Sequence, residues 1–254
     1  MPAVRRPLIA GNWKLFKTVA ESCALVRELA SQLPAQTRAE VVVAPVFTAL
    51  ASVKQALAGS VVRLSAQNLY WEPQGAFTGE VGPLQLRDVG CDYVIVGHSE
   101  RRQIFGESDA DVNRKARAVL AHGMAPIVCV GETLAQREAG QAEAVVVTQV
   151  TASLAGLSDA ELARVVVAYE PVWAIGTGKN AAPSDAQQMH AAIRACVTAL
   201  HGQTRAGSLR ILYGGSVKAD NAAALLAQPD VDGALVGGAS LAAGSFCAIV
   251  AAAG

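Results

Sequence analysis

The chain has 254 residues, of which 52% are hydrophobic, so it can bury the core of one large α/β domain. Its 21 basic and 21 acidic residues give a formal net charge of zero. This balance excludes the strongly basic surface that nucleic acid or an anionic membrane would attract, and it favours a small-molecule partner. No secretory signal is expected, because the early apolar stretch is interrupted by Asn12 and Lys14. No membrane span is expected either, because no apolar run is long enough.

The cysteines and histidines indicate neither a disulfide framework nor a metal site. Five cysteines are scattered along the chain without Cys-x-x-Cys spacing, which favours reduced thiols and a cytoplasmic location. Three of the four histidines (His122, His190 and His201) fall on predicted helical segments, away from strand ends. We therefore predict no metal.

Short β-branched runs alternate with longer segments of helical period along the whole chain. This alternation is typical of a parallel sheet covered by helices. The predicted strands span residues 8–13, 41–44, 63–67, 93–96, 126–130, 164–169, 209–213 and 234–236. Because no linker, charge block or repeat interrupts the pattern, we expect residues 1–254 to form one domain.

The segments between the strands carry helix signals. Apolar residues recur at helical spacing between residues 26 and 33, and again between residues 112 and 120. Capping-box spacing marks four helix starts, at Thr18 with Glu21, Thr133 with Gln136, Ser158 with Glu161, and Ser184 with Gln187.

Periodicity alone does not distinguish a closed barrel from an open doubly wound sheet. The residues that follow the strands are more informative. Candidate functional residues follow strands one, four, six, seven and eight, at Asn12 and Lys14, His98, Glu170, Ser216, and Gly237 with Gly238. Such a set converges on one rim only if the sheet closes, so we predict a single-domain (β/α)8 barrel.

Glu170 ends the sixth strand, and Pro171 favours an extended backbone at this glutamate. A carboxylate in apolar surroundings has a raised pKa, so we predict that Glu170 is a general base. The alternative is a surface glutamate in an ordinary connection. The apolar loop after it ends in two glycines and is typical of a lid that excludes water. The predicted lid comprises Pro171, Val172, Trp173, Ala174, Ile175, Gly176, Thr177, Gly178 and Lys179.

His98 ends the fourth strand and precedes residues suited to starting a helix. Helix N-terminal amides would lower the pKa of the ring and leave a neutral imidazole that polarises a carbonyl. We predict His98 as this electrophile, supported by Ser99 and Glu100. A histidine with a purely structural role in the core is the alternative.

The first strand ends in Asn12, Trp13 and Lys14, whose amide and ammonium groups could stabilise a developing oxyanion. Lys14 could instead form a Schiff base, or it could be a solvated lysine at the rim.

Glycine pairs follow strands seven and eight, at Gly214-Gly215 before Ser216 and at Gly237-Gly238. Their bare amides could bind an anion, and a short helix starting near Gly238 would direct its positive end toward it. A glycine pair is more often a turn, but two at consecutive strand ends predict the phosphate site usual in barrels.

Six segments resemble the triosephosphate isomerase family and occur in family order. They are GNWK at 11–14, GAFTGE at 75–80, VGHSERR at 96–102, CVGE at 129–132, AYEPVWAIGTGK at 168–179 and YGGS at 213–216. The resemblance implies a (β/α)8 homodimer that interconverts dihydroxyacetone phosphate and D-glyceraldehyde 3-phosphate in glycolysis and gluconeogenesis, without a cofactor.

The resemblance also implies roles for individual residues. Glu170 matches the proton acceptor, His98 the electrophile, and Asn12, Trp13 and Lys14 the substrate contacts. The family's phosphate-binding positions match Gly176, Ser216, Gly237 and Gly238. The loop expected to reach into a partner subunit comprises Gly75, Ala76, Phe77, Thr78, Gly79 and Glu80. Phe16 departs from the polar residue more common in the family near this contact.

Two other functions are compatible with the barrel. One is a sugar-phosphate aldolase that forms a lysine imine, and the other is a catalytically silent module that binds a phosphate ligand. The presence of every catalytic group counts against the silent module.

Overall fold

The computed structural model describes residues 5–34, 36–175 and 181–254. Eight parallel strands close in chain order, so that the first strand pairs with both the second and the eighth. The strands are β1 Leu8–Asn12, β2 Glu40–Ala44, β3 Arg63–Ala66, β4 Tyr93–Val96, β5 Ala125–Val130, β6 Val166–Tyr169, β7 Arg210–Tyr213 and β8 Gly233–Val236. The predicted (β/α)8 barrel is therefore confirmed.

Helices cover the outside of the barrel. They are α1 Val19–Gln32, α2 Leu50–Ala56, α3 Pro83–Val89, α4 Ser99–Phe105, α5 Asp109–Ala121, α6 Leu134–Glu138, α7 Ala142–Ser153, α8 Asp159–Leu162, α9 Pro183–His201, α10 Gln203–Ser208, α11 Ala222–Leu226 and α12 Ala243–Ala252. No helix in these described ranges is long and apolar enough to cross a membrane.

Three of the four predicted helix caps are confirmed, at Thr18, Thr133 and Ser158. The fourth, at Ser184, is wrong. Helix α9 begins two residues earlier than this cap predicts, at Pro183 with Ala182 as its N-cap, and the missing N–H of proline costs no helical hydrogen bond there. The carboxylate of Asp185 then accepts from the amide of Ala182 at 3.3 Å.

Alternating strand residues face two apolar regions. One set fills the inside of the barrel, with Leu8, Val42, Ile95, Ile127 and Leu212 among its members. The other set packs beneath the helices. Because strands buried on both faces must be apolar throughout, this arrangement explains why the strands were visible in the sequence.

Three polar side chains, Glu40, Tyr93 and Arg210, form a hydrogen-bonded polar closure at the amino-terminal end of the barrel. The Tyr93 hydroxyl donates to Glu40 Oε1 at 2.9 Å, and Arg210 Nη1 donates to Glu40 Oε2 at 2.6 Å. Glu40 and Tyr93 are buried. A buried carboxylate is tolerated when it is paired and hydrogen-bonded in this way.

Candidate active site

A cavity of about 570 Å³ lies at the carboxyl ends of the strands. This volume is typical of a small-molecule site. Its lining residues are Asn12, Lys14, Phe16, His98, Glu170, Ile175, Gly214, Gly215, Ser216, Val217, Lys218, Leu235, Gly237, Gly238 and Ala239. The structure thus brings together the residues predicted from five separate strand ends.

Glu170 and His98 are in direct contact in this cavity. The Nε2 atom of His98 lies 2.8 Å from Oε1 of Glu170, and the amide of Ser99 donates to Glu170 Oε2 at 2.9 Å. The amide of Glu100, in the first turn of α4, donates to His98 Nδ1 at 3.3 Å. These bonds assign the proton of a neutral His98 ring to Nε2, facing Glu170.

This contact reverses both predicted pKa shifts. Burial would raise the pKa of Glu170, but the hydrogen bonds from His98 and from the Ser99 amide stabilise its carboxylate and lower the pKa. Burial likewise disfavours the imidazolium form of His98, but the negative charge of Glu170 raises the pKa of the ring. The predictions of a raised pKa for Glu170 and a lowered one for His98 are therefore wrong in this arrangement, because they omitted the pairing of the two groups.

Lys14 is held at the rim in an unusual backbone conformation. Its φ angle is 50°, in the left-handed region that costs a non-glycine residue about 1–3 kcal/mol. Asn12 Oδ1 accepts from the Lys14 amide at 3.0 Å, and Gln67 Nε2 donates to the Lys14 carbonyl at 2.8 Å. The Lys14 ammonium lies 2.6 Å from Glu100 Oε1. This ion pair holds the ammonium at the cavity, where it can face a substrate oxyanion.

The Trp13 side chain lies elsewhere. It is fully buried in the hydrophobic core, and it is not among the described residues that line the cavity. The predicted substrate contact is therefore not supported for this side chain.

Glycine backbone also lines the cavity, at Gly214, Gly215, Gly237 and Gly238. A short 3-10 turn, Gly238–Leu241, begins at the position predicted for a helix start, and Ser240 Oγ donates to the Gly237 carbonyl at 2.7 Å. Lys218 lines the cavity as well and is not predicted from the sequence, because an exposed lysine two residues beyond a motif resembles any solvated lysine.

The first part of the predicted lid is fixed to the barrel through Glu132. Trp173 lies in a 3-10 turn, Val172–Ala174, and its Nε1 donates to Glu132 Oε1 at 2.8 Å. The Tyr169 hydroxyl donates to the same oxygen at 3.0 Å. The predicted lid residues Gly176, Thr177, Gly178 and Lys179 lie outside the described residues.

The predicted partner loop, residues 75–80, is exposed to solvent. It is connected to α5 by an aromatic stack. Arg114 lies over the Trp71 ring at 4.3 Å, Trp71 stacks on Tyr70 at 4.2 Å between ring centroids, and Tyr70 contacts Phe77 at 4.5 Å. Leu15 and Phe16 are also exposed, by 92% and 55%.

Gln67 and Glu132 support the site through their bonds to Lys14 and Trp173, but the sequence does not predict a site role for either. The only signals for them are the polar ending of the third predicted strand and the CVGE motif. Among the described residues, no group of three or more His, Cys, Asp or Glu side chains could hold a metal ion.

A statistical model of the triosephosphate isomerase family matches residues 7–253. Proteins named triosephosphate isomerase from Chloroflexus aurantiacus and Pelobacter propionicus are each 61% identical over 97% of this chain, covering 99% and 98% of their own lengths. One from Herpetosiphon aurantiacus is 58% identical over the same share of this chain and 99% of its own length. The chain therefore belongs to the triosephosphate isomerase family.

Proposed function

We propose that the chain interconverts dihydroxyacetone phosphate and D-glyceraldehyde 3-phosphate, a reaction of glycolysis and gluconeogenesis, with Glu170 as the general base. One observation carries this proposal. Glu170 and His98 meet in a cavity that is also lined by Gly237 and Gly238. A proton-transfer pair and glycines suited to binding an anion thus share one space of small-molecule size.

The mechanism begins with separation of Glu170 and His98. When substrate binds, the Nε2–H group of His98 donates its hydrogen bond to the substrate carbonyl oxygen instead of to Glu170. Glu170 therefore loses that stabilising bond. The carboxylate then lies in buried surroundings that raise its pKa, and it becomes a stronger base. The pairing that lowers the pKa of Glu170 in the described structure is released only when a ligand enters.

Glu170 then removes a proton from the carbon beside the carbonyl. The C–H electron pair forms the carbon–carbon double bond of an enediolate, and the negative charge moves to the former carbonyl oxygen. His98 Nε2, the Lys14 ammonium and Asn12 stabilise this charge. His98 gives its Nε2 proton to this oxygen and takes up the hydroxyl proton from the oxygen on the adjacent carbon, so that a proton has moved between the two oxygens. Glu170 returns its proton to the former carbonyl carbon while a new carbonyl forms on the carbon that was deprotonated, which completes the isomerisation without oxidant, reductant or cofactor.

The phosphate group of the substrate is assigned to the part of the cavity that is lined by Gly237 and Gly238. Backbone amides near Ser216, Gly237 and Gly238 would bind it, and the family's pattern adds Gly176. The lid formed by residues 171–179 would exclude water and keep the enediolate from eliminating phosphate. The position of Ile175 in the cavity lining supports this assignment.

We also propose a cytoplasmic homodimer with one domain over residues 1–254. The exposed loop at residues 75–80 and the exposed side chains of Leu15 and Phe16 support association with a second copy. Five free cysteines support a reducing compartment.

A coupled assay on dihydroxyacetone phosphate tests the reaction, and Glu170→Asp tests the base. The shorter side chain withdraws the carboxylate by about 1 Å, which is expected to lower kcat roughly 10²-fold. Thermal melting should stay close to that of the parent protein. Near-parental turnover would remove Glu170 from the base role, and trapping of a substrate imine by borohydride would favour the aldolase alternative.

A further inference from the structure

Gln149 lies on α7, outside the barrel, yet its side chain reaches the end of β5. The amide of Gly131 donates to Gln149 Oε1 at 2.7 Å, and Gln149 Nε2 donates to the Gly131 carbonyl at 3.2 Å. One carboxamide therefore satisfies both backbone groups of one residue, as a neighbouring strand would.

The strand order explains why such a partner is needed. On the β6 side, the pairing continues past the strand end, since Glu170 N donates to Val130 O at 2.7 Å and Val172 N donates to Glu132 O at 3.1 Å. On the other side, β4 ends at Val96, and Gly97 turns the chain away with a φ angle of 71°. The backbone groups of Gly131 point toward this departed strand, and Gln149 takes its place.

Gly131 in turn contacts the backbone of Glu170. A Cβ atom built on Gly131 would lie 1.8 Å from the carbonyl oxygen of Glu170 and 2.7 Å from its carbonyl carbon. No side chain fits between them, so a shift of Gly131 must change the position of Glu170.

Packing alone does not fix this position. A second cavity of about 110 Å³ lies behind Glu170, lined by Gln149, Gly131, Ser99 and Arg102 among others. Close packing normally restrains side chains in a protein interior, and a cavity removes part of that restraint. Directional hydrogen bonds are therefore the main restraint on this side of Glu170.

We propose that Gln149 is a positioning residue for the general base, holding Glu170 through Gly131. The inference rests on the proposed role of Glu170. A base held by its backbone neighbours reaches the substrate carbon at the required distance, and loss of this support slows proton transfer without weakening phosphate binding.

The test is Gln149→Met, a side chain of similar length that cannot bond Gly131. We expect kcat for dihydroxyacetone phosphate to fall roughly tenfold, while KM and inhibition by inorganic phosphate change by less than about twofold. The deuterium kinetic isotope effect on kcat should rise, because proton abstraction becomes slower relative to product release. Thr148→Ala, an exposed substitution on the same helix, is the matched control and should leave all four quantities unchanged.

A double-mutant cycle separates positioning from a general structural role. In the Glu170→Asp background, where the carboxylate is already withdrawn, Gln149→Met should cost much less than in the parent protein. Additive losses, or an unchanged kcat and isotope effect in the single variant, would overturn the proposal. If Gln149→Met folds poorly, Gln149→Glu keeps the bond from the Gly131 amide. It should show the same kcat and isotope changes to a smaller degree, and parental values would overturn the proposal.

The turnover of Glu170→Asp also separates failure of the proposed base, Glu170, from failure of the proposed positioning role of Gln149. Near-parental turnover of Glu170→Asp contradicts the proposed base itself. A Glu170→Asp enzyme slowed roughly 10²-fold together with a Gln149→Met enzyme of parental kcat contradicts only the role of Gln149.

Discussion

A single methyl group at Gly214 should displace Glu170, the proposed general base, without changing its chemistry. A Cβ atom at this position would lie 2.8 Å from Glu170 Cγ and 3.1 Å from the carbonyl oxygen of Tyr169. Because non-bonded carbons pack at about 3.5–4.0 Å, Glu170 Cγ must retreat by roughly 1 Å. Gly214 is not among the glycines with positive φ, so alanine can adopt its backbone conformation.

The size of the effect follows from this displacement. A shift of about 1 Å at a reacting group can cost roughly 10²-fold in rate, or about 2.7 kcal/mol of transition-state stabilisation. The same contact is expected to lower the free energy of unfolding by about 1–3 kcal/mol, as other overpacked sites do. Gly214→Ala should therefore be folded at 25 °C but slow.

Coupled kinetics at saturating dihydroxyacetone phosphate and thermal melting provide the measurements. Gly207→Ala is the control, since a Cβ atom there meets nothing within 4 Å and the residue has no positive φ. A kcat for Gly214→Ala that stays within about twofold of the parent value, in a folded protein, would refute the reasoning.

Three further predictions concern groups around the site and beneath it. Lys218→Ala should raise KM with kcat unchanged, and the difference should shrink as salt screens the attraction of the substrate's phosphate; an effect independent of salt would contradict a steering role. Burial lowers the pKa of His190 to about 4, whereas an unfolded histidine titrates at about 6.5. Unfolding then takes up a proton between these values, so this contribution to stability is full above about pH 6.5 and is lost as pH falls toward about 4. Melting temperatures of a folded His190→Gln variant should fall less steeply over this range, and parallel curves would contradict the assignment. Trp71→Ala removes the ring between Arg114 and Tyr70 and should weaken association of the proposed dimer several-fold in analytical ultracentrifugation, as a cation–π contact of about 0.5–2 kcal/mol implies. Unchanged association would contradict a role of this stack in the dimer.

The fold could be predicted best from the sequence where burial restricts which residue types can occur. Strands with both faces covered must be apolar, so β4 and β6 could be recognised from composition alone. Closure of the barrel could be predicted from the residues that follow the strands, because the carboxyl ends of parallel strands meet at one rim.

The supporting amides could not be predicted in the same way. The side chains of Gln67 and Gln149 form hydrogen bonds with backbone groups far from them in sequence. A glutamine at a strand end or in a helix carries no local signal that predicts such a partner. The pKa directions failed for a related reason. A distance of 2.8 Å between Glu170 and His98 reverses the effect of burial, and no local pattern gives that distance.

The polar closure formed by Glu40, Tyr93 and Arg210 has a consequence for how this protein can change. It lies at the opposite end of the barrel from the cavity, and its hydrogen bonds join β2, β4 and β7. Rim residues can therefore be exchanged while this network continues to hold those strands in register. Substitutions at the cavity can thus change substrate specificity while the opposite end of the barrel keeps the fold stable. This separation favours the evolution and engineering of new activities on the same barrel.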